Sequence, residues 1–131
     1  MAVRSSRIQL TGAACILGAL MLLQVPLRWM LAWAVAAGLH ELGHLAALGC
    51  MGCRVGQLRV GASGMVMETG PLTRMQELLA AAAGPAVSLS LLLLCRSFPR
   101  VALCGLAQGL YNLLPVRSLD GGRIMKIFLA K

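Results

Sequence analysis

Polar positions are rare along this chain, and where they fall divides it into segments. Ile8 to Val25 runs for 18 residues without a charge, Trp29 to Cys53 for 25 with Glu41 as its one acidic residue, Leu78 to Cys95 for 18, and Val101 to Val116 for 16. An apolar run of about 18 residues is long enough to cross a hydrocarbon core of ~30 Å as a helix. The pattern predicts an all-α membrane protein with about four transmembrane helices, over about 8–25, 29–50, 77–95 and 101–116. Pro115 on one side of Asp120 and Gly121-Gly122 on the other interrupt helical backbone, so the last span is expected to be broken near Pro115 and Asp120.

The connections are short, with one exception. Pro26 with Arg28, and Arg96 with Pro99 and Arg100, mark tight turns after the first and third spans. The stretch from Arg54 to Thr73 instead spaces Gly56, Gly61, Gly64 and Gly70 among alternating and β-branched residues, which predicts a short β-hairpin-like segment at the membrane rim over about 54–73. The whole chain, 1–131, is expected to be a single transmembrane domain without a PDZ or CBS domain.

Composition supports the membrane reading: 59% of residues are hydrophobic and 12% charged. Burying four such runs in a soluble core needs more polar covering surface than 131 residues supply. The net charge of +8 is accounted for by topology. With the N-terminus cytoplasmic, that side carries Arg4, Arg7, Arg54, Arg59, Arg74, Arg117, Arg123, Lys126 and Lys131, and the other side keeps Arg28, Arg96 and Arg100. Both termini are then cytoplasmic in a multi-pass integral membrane protein, and attraction to anionic lipid in the bilayer, not to nucleic acid, explains the excess. Arg4 and Arg7 precede the first run as in a signal peptide, but only Ile8 to Thr11 separate them from Gly12 and Ala13-Ala14-Cys15, so that segment is read as retained. The five cysteines imply no disulfide framework, and Cys50 and Cys53 have CxxC spacing without a second pair.

Against this background His40-Glu41-Leu42-Gly43-His44 stands out, since it holds both histidines of the chain inside an apolar segment. This is an HExxH motif. Residues four apart on a helix share a face, so both imidazoles can reach one metal ion while Glu41 lies beside them and can hold a metal-bound water. Ionisable groups at that depth cost about 2.5 to 3.5 kcal/mol each on insertion scales, which makes them a functional hypothesis by default. A catalytic zinc takes three protein ligands and keeps one position open, so a third ligand is needed. Glu68, Glu77, Asp120 and the Cys50/Cys53 pair are the candidates. Glu77 suits a helix N-terminus and Glu68 a glycine-rich rim, whereas Asp120 lies on a break in an apolar helix, where backbone must face protein or a watery cavity.

The order His40 to His44, then Gly84-Pro85, then Asn112-Leu113-Leu114-Pro115 with Leu119-Asp120-Gly121, resembles the site-2 protease family of intramembrane zinc metalloproteases. The branch without a PDZ insertion, which includes the stage IV sporulation protein FB, is the most similar, and the resemblance covers about residues 8 to 125. It implies one Zn2+ per chain on His40, His44 and Asp120, Glu41 as the catalytic acid/base, and Asn112 as a stabiliser of the substrate carbonyl. It implies further a membrane-associated protein substrate, such as a sporulation sigma-factor precursor, a regulatory membrane protein as partner, and a bacterial cytoplasmic membrane. The family often carries asparagine where this chain has Ser88. The hairpin around Val55 to Met67 offers backbone to which an opened substrate segment can add as a strand. Two rival readings differ in class, a catalytically silent membrane scaffold of the same fold and a metal-ion transporter, and a third keeps the enzyme class but changes the fold, a gluzincin-type site completed by Glu68 or Glu77.

Overall fold

The structure is a computed structural model that describes residues 8–10, 12–61 and 64–129. Its elements run β1 (Ile8–Leu10), α1 (Gly12–Gln24), α2 (Leu27–Cys50), β2 (Val55–Gly61), β3 (Gly64–Thr69), α3 (Arg74–Ser90), α4 (Pro99–Asn112) and α5 (Asp120–Leu129), with a short 3-10 segment, Leu91–Leu94, continuing α3. Arg4, Arg7 and Lys131, part of the expected charge asymmetry, lie outside the described residues.

α2 is the spine of the fold. It starts directly after Pro26, whose carbonyl accepts from the Trp29 and Met30 amides, and its 24 residues are ~36 Å long at the usual helical rise. It ends where Gly52 takes a left-handed φ of 68°, which lets the Cys53 amide return to the Leu48 carbonyl at 2.9 Å. α3 begins with a capping box: the Gln76 amide donates to Thr73 Oγ1, and the Thr73 amide donates back to Gln76 Oε1. α4 has Pro99 at its first position, where the missing N–H costs nothing.

The helices pack through small residues and turn large ones outward. A Cβ built on Gly43 would lie 2.9 Å from the Ala83 carbonyl oxygen, and one on Gly105 would lie 2.8 Å from the Ser88 carbonyl oxygen, so α2, α3 and α4 approach to backbone distance. Ala32, Ala36, Leu91 and Cys104 form the buried apolar cluster between them. Leu23, Leu31, Leu93, Leu103 and Leu110 point away from the protein. A soluble fold would reverse that arrangement, so this is the outer surface of a protein solvated by lipid. α2 and the stretch Arg74–Leu94 are the two helices, among the described residues, long and apolar enough to cross a membrane.

Two expected spans are shorter than their apolar runs. Ile8–Leu10 forms a strand, leaving α1 with 13 residues, ~20 Å, against a hydrocarbon core of ~30 Å. The cause is β2: Ile8, Gln9 and Leu10 pair in parallel with Leu58, Arg59 and Val60, and backbone committed to a strand cannot continue the helix. The last run yields the 14 residues of α4, since Pro115 stops helical propagation, and a separate α5 follows from Asp120.

The expected rim hairpin is two strands of a three-stranded sheet in the order β1-β2-β3, with β2 and β3 antiparallel and Val60 opposite Met65. β2 is therefore the middle strand, flanked on both sides. β1 and β3 are the edge strands, each with an outer edge that has no partner strand among the described residues.

Candidate metal centre

Three helices each supply part of one site. His40 and His44, one turn apart on α2, are 3% and 7% exposed, and Asp120, the first residue of α5, is 8% exposed. Their inner atoms form a nearly equilateral triangle: His40 Nε2 to His44 Nε2 is 3.2 Å, and Asp120 Oδ2 is 3.2 Å from each. Four ligands placed tetrahedrally at the ~2.0 Å of a zinc–nitrogen or zinc–oxygen bond stand ~3.3 Å apart. The triangle has the size of one face of that tetrahedron.

The protons on the imidazoles argue the same way. His44 Nδ1 lies 2.7 Å from the Ala80 carbonyl oxygen, which only accepts, so Nδ1 donates and Nε2 of the neutral ring is a bare lone pair. His40 Nδ1 has its partner in Ser88 Oγ at 2.8 Å, with Ser88 wholly buried. With both rings neutral and His40 Nδ1 donating to Ser88 Oγ as His44 Nδ1 does to Ala80 O, two lone pairs and a carboxylate oxygen converge on one small volume, the donor set a borderline metal ion such as zinc takes. His40, His44 and Asp120 are the group of potential metal ligands found among the described residues.

Glycines make room for this convergence. A Cβ on Gly84 would fall onto His44 Nε2 and lie 2.9 Å from His40 Nε2, so the backbone of α3 forms the wall against which both imidazoles rest. A Cβ on Gly121 would fall onto the Leu113 carbonyl and one on Gly122 onto the Val116 carbonyl, so α5 begins pressed against the returning loop. That loop is a chain of tight turns, with the Val116 amide on Leu114 O at 2.7 Å and the Leu119 amide on Val116 O at 2.9 Å. Asp120 reaches the histidines because the loop folds back here, and its outer oxygen, Oδ1, stands 4.0 Å from Arg123 Nη1.

The other expected site residues lie around this triangle. Glu41 is half-buried next to His40 on α2. Asn112 is the last residue of α4, and its Nδ2 donates to the Gln108 carbonyl of its own helix at 3.0 Å. Gln108, one turn earlier, carries a buried side-chain oxygen without a partner among the described residues. Glu68 lies in β3 and Glu77 in the first turn of α3, and neither joins the grouped ligands. The five cysteines are free thiols. Sequence reasoning passed over Ser88 and Gly84 as site residues in their own right, since a lone serine and a Gly-Pro pair inside an apolar helix carry no spacing signal of their own.

No protein-family model matches the sequence, and no curated protein matches it. Among solved structures, the chain is similar to the site-2 protease from Methanocaldococcus jannaschii, with a TM-score of 0.76 at 23% identity, over 99% of this chain and 70% of that one. At that identity the likeness establishes the fold alone: the chain is built on the fold of that protein.

Proposed function

We propose that the chain is an intramembrane zinc metalloprotease of the site-2 protease family, hydrolysing a peptide bond in or near a membrane-associated segment of a protein substrate. The observation that carries this reading is the 3.2 Å triangle of His40 Nε2, His44 Nε2 and Asp120 Oδ2 on an HExxH helix. Those three atoms would hold one zinc ion. When bound, the ion supplies Lewis acidity that makes water nucleophilic at neutral pH and polarises the scissile carbonyl.

The chain's own groups do the rest. Glu41 takes the proton from the attacking water at its carboxylate and returns it to the leaving amine nitrogen as the peptide bond breaks. Asn112, at the end of α4, turns its Nδ2 from the Gln108 carbonyl to the oxygen that gains charge during the attack. The free edge of β3 supports a substrate unwound locally and held as an added strand, which exchanges its lost helical hydrogen bonds for new ones. A sporulation sigma-factor precursor is the substrate class to assay first, with the enzyme oriented so that the sheet and both termini face the cytoplasm of a bacterial cell.

The test begins with zinc per chain in detergent-purified protein. Wild type is expected to hold close to one zinc, and Asp120→Ala and His44→Ala to hold little at unchanged helix content. Glu41→Gln is expected to keep zinc and to lose cleavage by ~10²-fold or more in proteoliposomes. Well-folded wild type that takes up no zinc refutes the proposal, and an Asp120→Ala variant that keeps it returns Glu68 or Glu77 as ligand.

A further inference from the structure

The two imidazoles are oriented by different means. His44 leans on the main-chain oxygen of Ala80, a partner no substitution of residue 80 other than a shift of backbone can remove. His40 leans on a side chain, Ser88 Oγ, 48 residues away on the next helix. That contact is 2.8 Å long and joins residues 3% and 0% exposed.

We infer that Ser88 is a positioning residue for the metal centre: its hydroxyl accepts the Nδ1 proton of His40 and holds that imidazole with a bare Nε2 turned toward His44 and Asp120. The inference rests on the zinc reading above and goes beyond it by assigning a role to a residue outside the ligand set. The partner atom has the right polarity, because a hydroxyl can accept from Nδ1 whereas an aliphatic side chain cannot. Without that hydroxyl the ring loses the bond that fixes its orientation, and the Nδ1 proton has no acceptor when Nε2 is turned to a metal ion.

Ser88 is itself held in place. Its carbonyl lies 2.8 Å from where a Cβ of Gly105 would stand, and its own Cβ lies 3.2 Å from where a Cβ of Gly109 would stand. α4 thus closes over Ser88 from one side while His40 meets it from the other, and the hydroxyl has one direction in which to act. The same crowding explains the size of the residue: a longer amide side chain at position 88 would have to displace either His40 or the glycine face of α4. The chain has a short hydroxyl here because α2, α3 and α4 converge at this level to backbone distance.

Outer partners of histidine ligands typically contribute ~10- to 100-fold to metal affinity. The experiment measures zinc dissociation constants by chelator competition for full-length wild type, Ser88→Ala and Ser88→Thr in detergent, with circular dichroism of the metal-free proteins as the check on folding. The visible absorption of each variant saturated with Co2+ reports the ligand geometry directly. Ser88→Ala is expected to bind zinc at least ~10-fold more weakly and to shift the Co2+ bands, at wild-type helix content, while Ser88→Thr, which keeps the hydroxyl, stays within ~3-fold of wild type. Equal zinc affinity and unchanged Co2+ bands in Ser88→Ala overturn the inference and leave the metal reading standing. Loss in Ser88→Thr equal to that in Ser88→Ala also overturns it, since the hydroxyl would then not be what matters. Wild type without zinc overturns both.

Discussion

Replacing Gly84 with alanine tests the geometry of the centre more sharply than removing a ligand does. In the interior of a helix a Gly→Ala change is normally favourable by about 0.8–1 kcal/mol, so the local expectation is a more stable α3. The structure reverses that sign. The new methyl would fall onto His44 Nε2 and stand 2.9 Å from His40 Nε2, where an ordinary contact is ~3.5 Å. His40 would have to withdraw by ~0.6 Å and His44 by more, and metal ligands tolerate shifts of only about 0.2 Å. Neither ring can withdraw freely, because Ala80 O and Ser88 Oγ hold their far nitrogens at 2.7 and 2.8 Å. Moving α3 away as a body would pull Ala83 off Gly43, where the helices are already at backbone contact. An overpacking cost of about 1–3 kcal/mol concentrated on two ligands predicts a ~10- to 100-fold loss of zinc affinity in Gly84→Ala. Chelator competition measures it, and circular dichroism verifies that the helices remain. Wild-type affinity within ~3-fold, in a folded variant, would refute the view that the α3 backbone walls the centre.

Gly121→Ala should act at a distance: its methyl would fall onto the Leu113 carbonyl, displacing Asp120 from the triangle, so zinc binding is expected to fall while an assay of α2 and α3 helicity is unchanged. Thr73→Ala removes the capping box of α3, costing about 1 kcal/mol in thermal or denaturant unfolding without altering zinc stoichiometry, because the cap lies about two turns before Ala80. Proline at Val66 and at Met67 separates the two faces of β3, since successive amides of a strand point to opposite edges and one of the two variants leaves the β2 ladder intact. That variant is expected to cleave substrate several-fold more slowly with zinc retained, and turnover at wild-type rate in both would refute strand addition at β3.

The HExxH pair was legible in the sequence because its geometry is local: four residues on any helix bring two side chains to one face, whatever surrounds them. Asp120 was legible for a different reason, as a carboxylate on broken backbone in an apolar run, where a polar group needs a partner. The roles of Ser88 and Gly84 were not, because both depend on the rotation and height of α3 against α2. Those are set by contacts such as Gly43 on Ala83, which no periodicity in either helix encodes. β1 was hidden for a related reason. Ile8-Gln9-Leu10 is continuous in hydropathy with the helix that follows, and only its register against Leu58 to Val60, some 50 residues on, makes it a strand.

These contacts also explain why the centre is built from glycine, alanine and serine around two histidines and an aspartate. A membrane offers no hydrophobic drive to press helices together, so close approach must come from backbone-to-backbone packing over small residues. Gly43, Gly84, Gly105 and Gly109 supply it, and they do so at the level of His40, His44 and Ser88. The packing that holds the helices together is therefore the same packing that brings the imidazoles to 3.2 Å from each other and from Asp120. Stability and site geometry share one set of residues here. A methyl added to one of these four glycines is expected to disturb the centre before it unfolds the helices, whereas changes to the outward leucines Leu31, Leu93 or Leu103 to other apolar residues should leave it untouched.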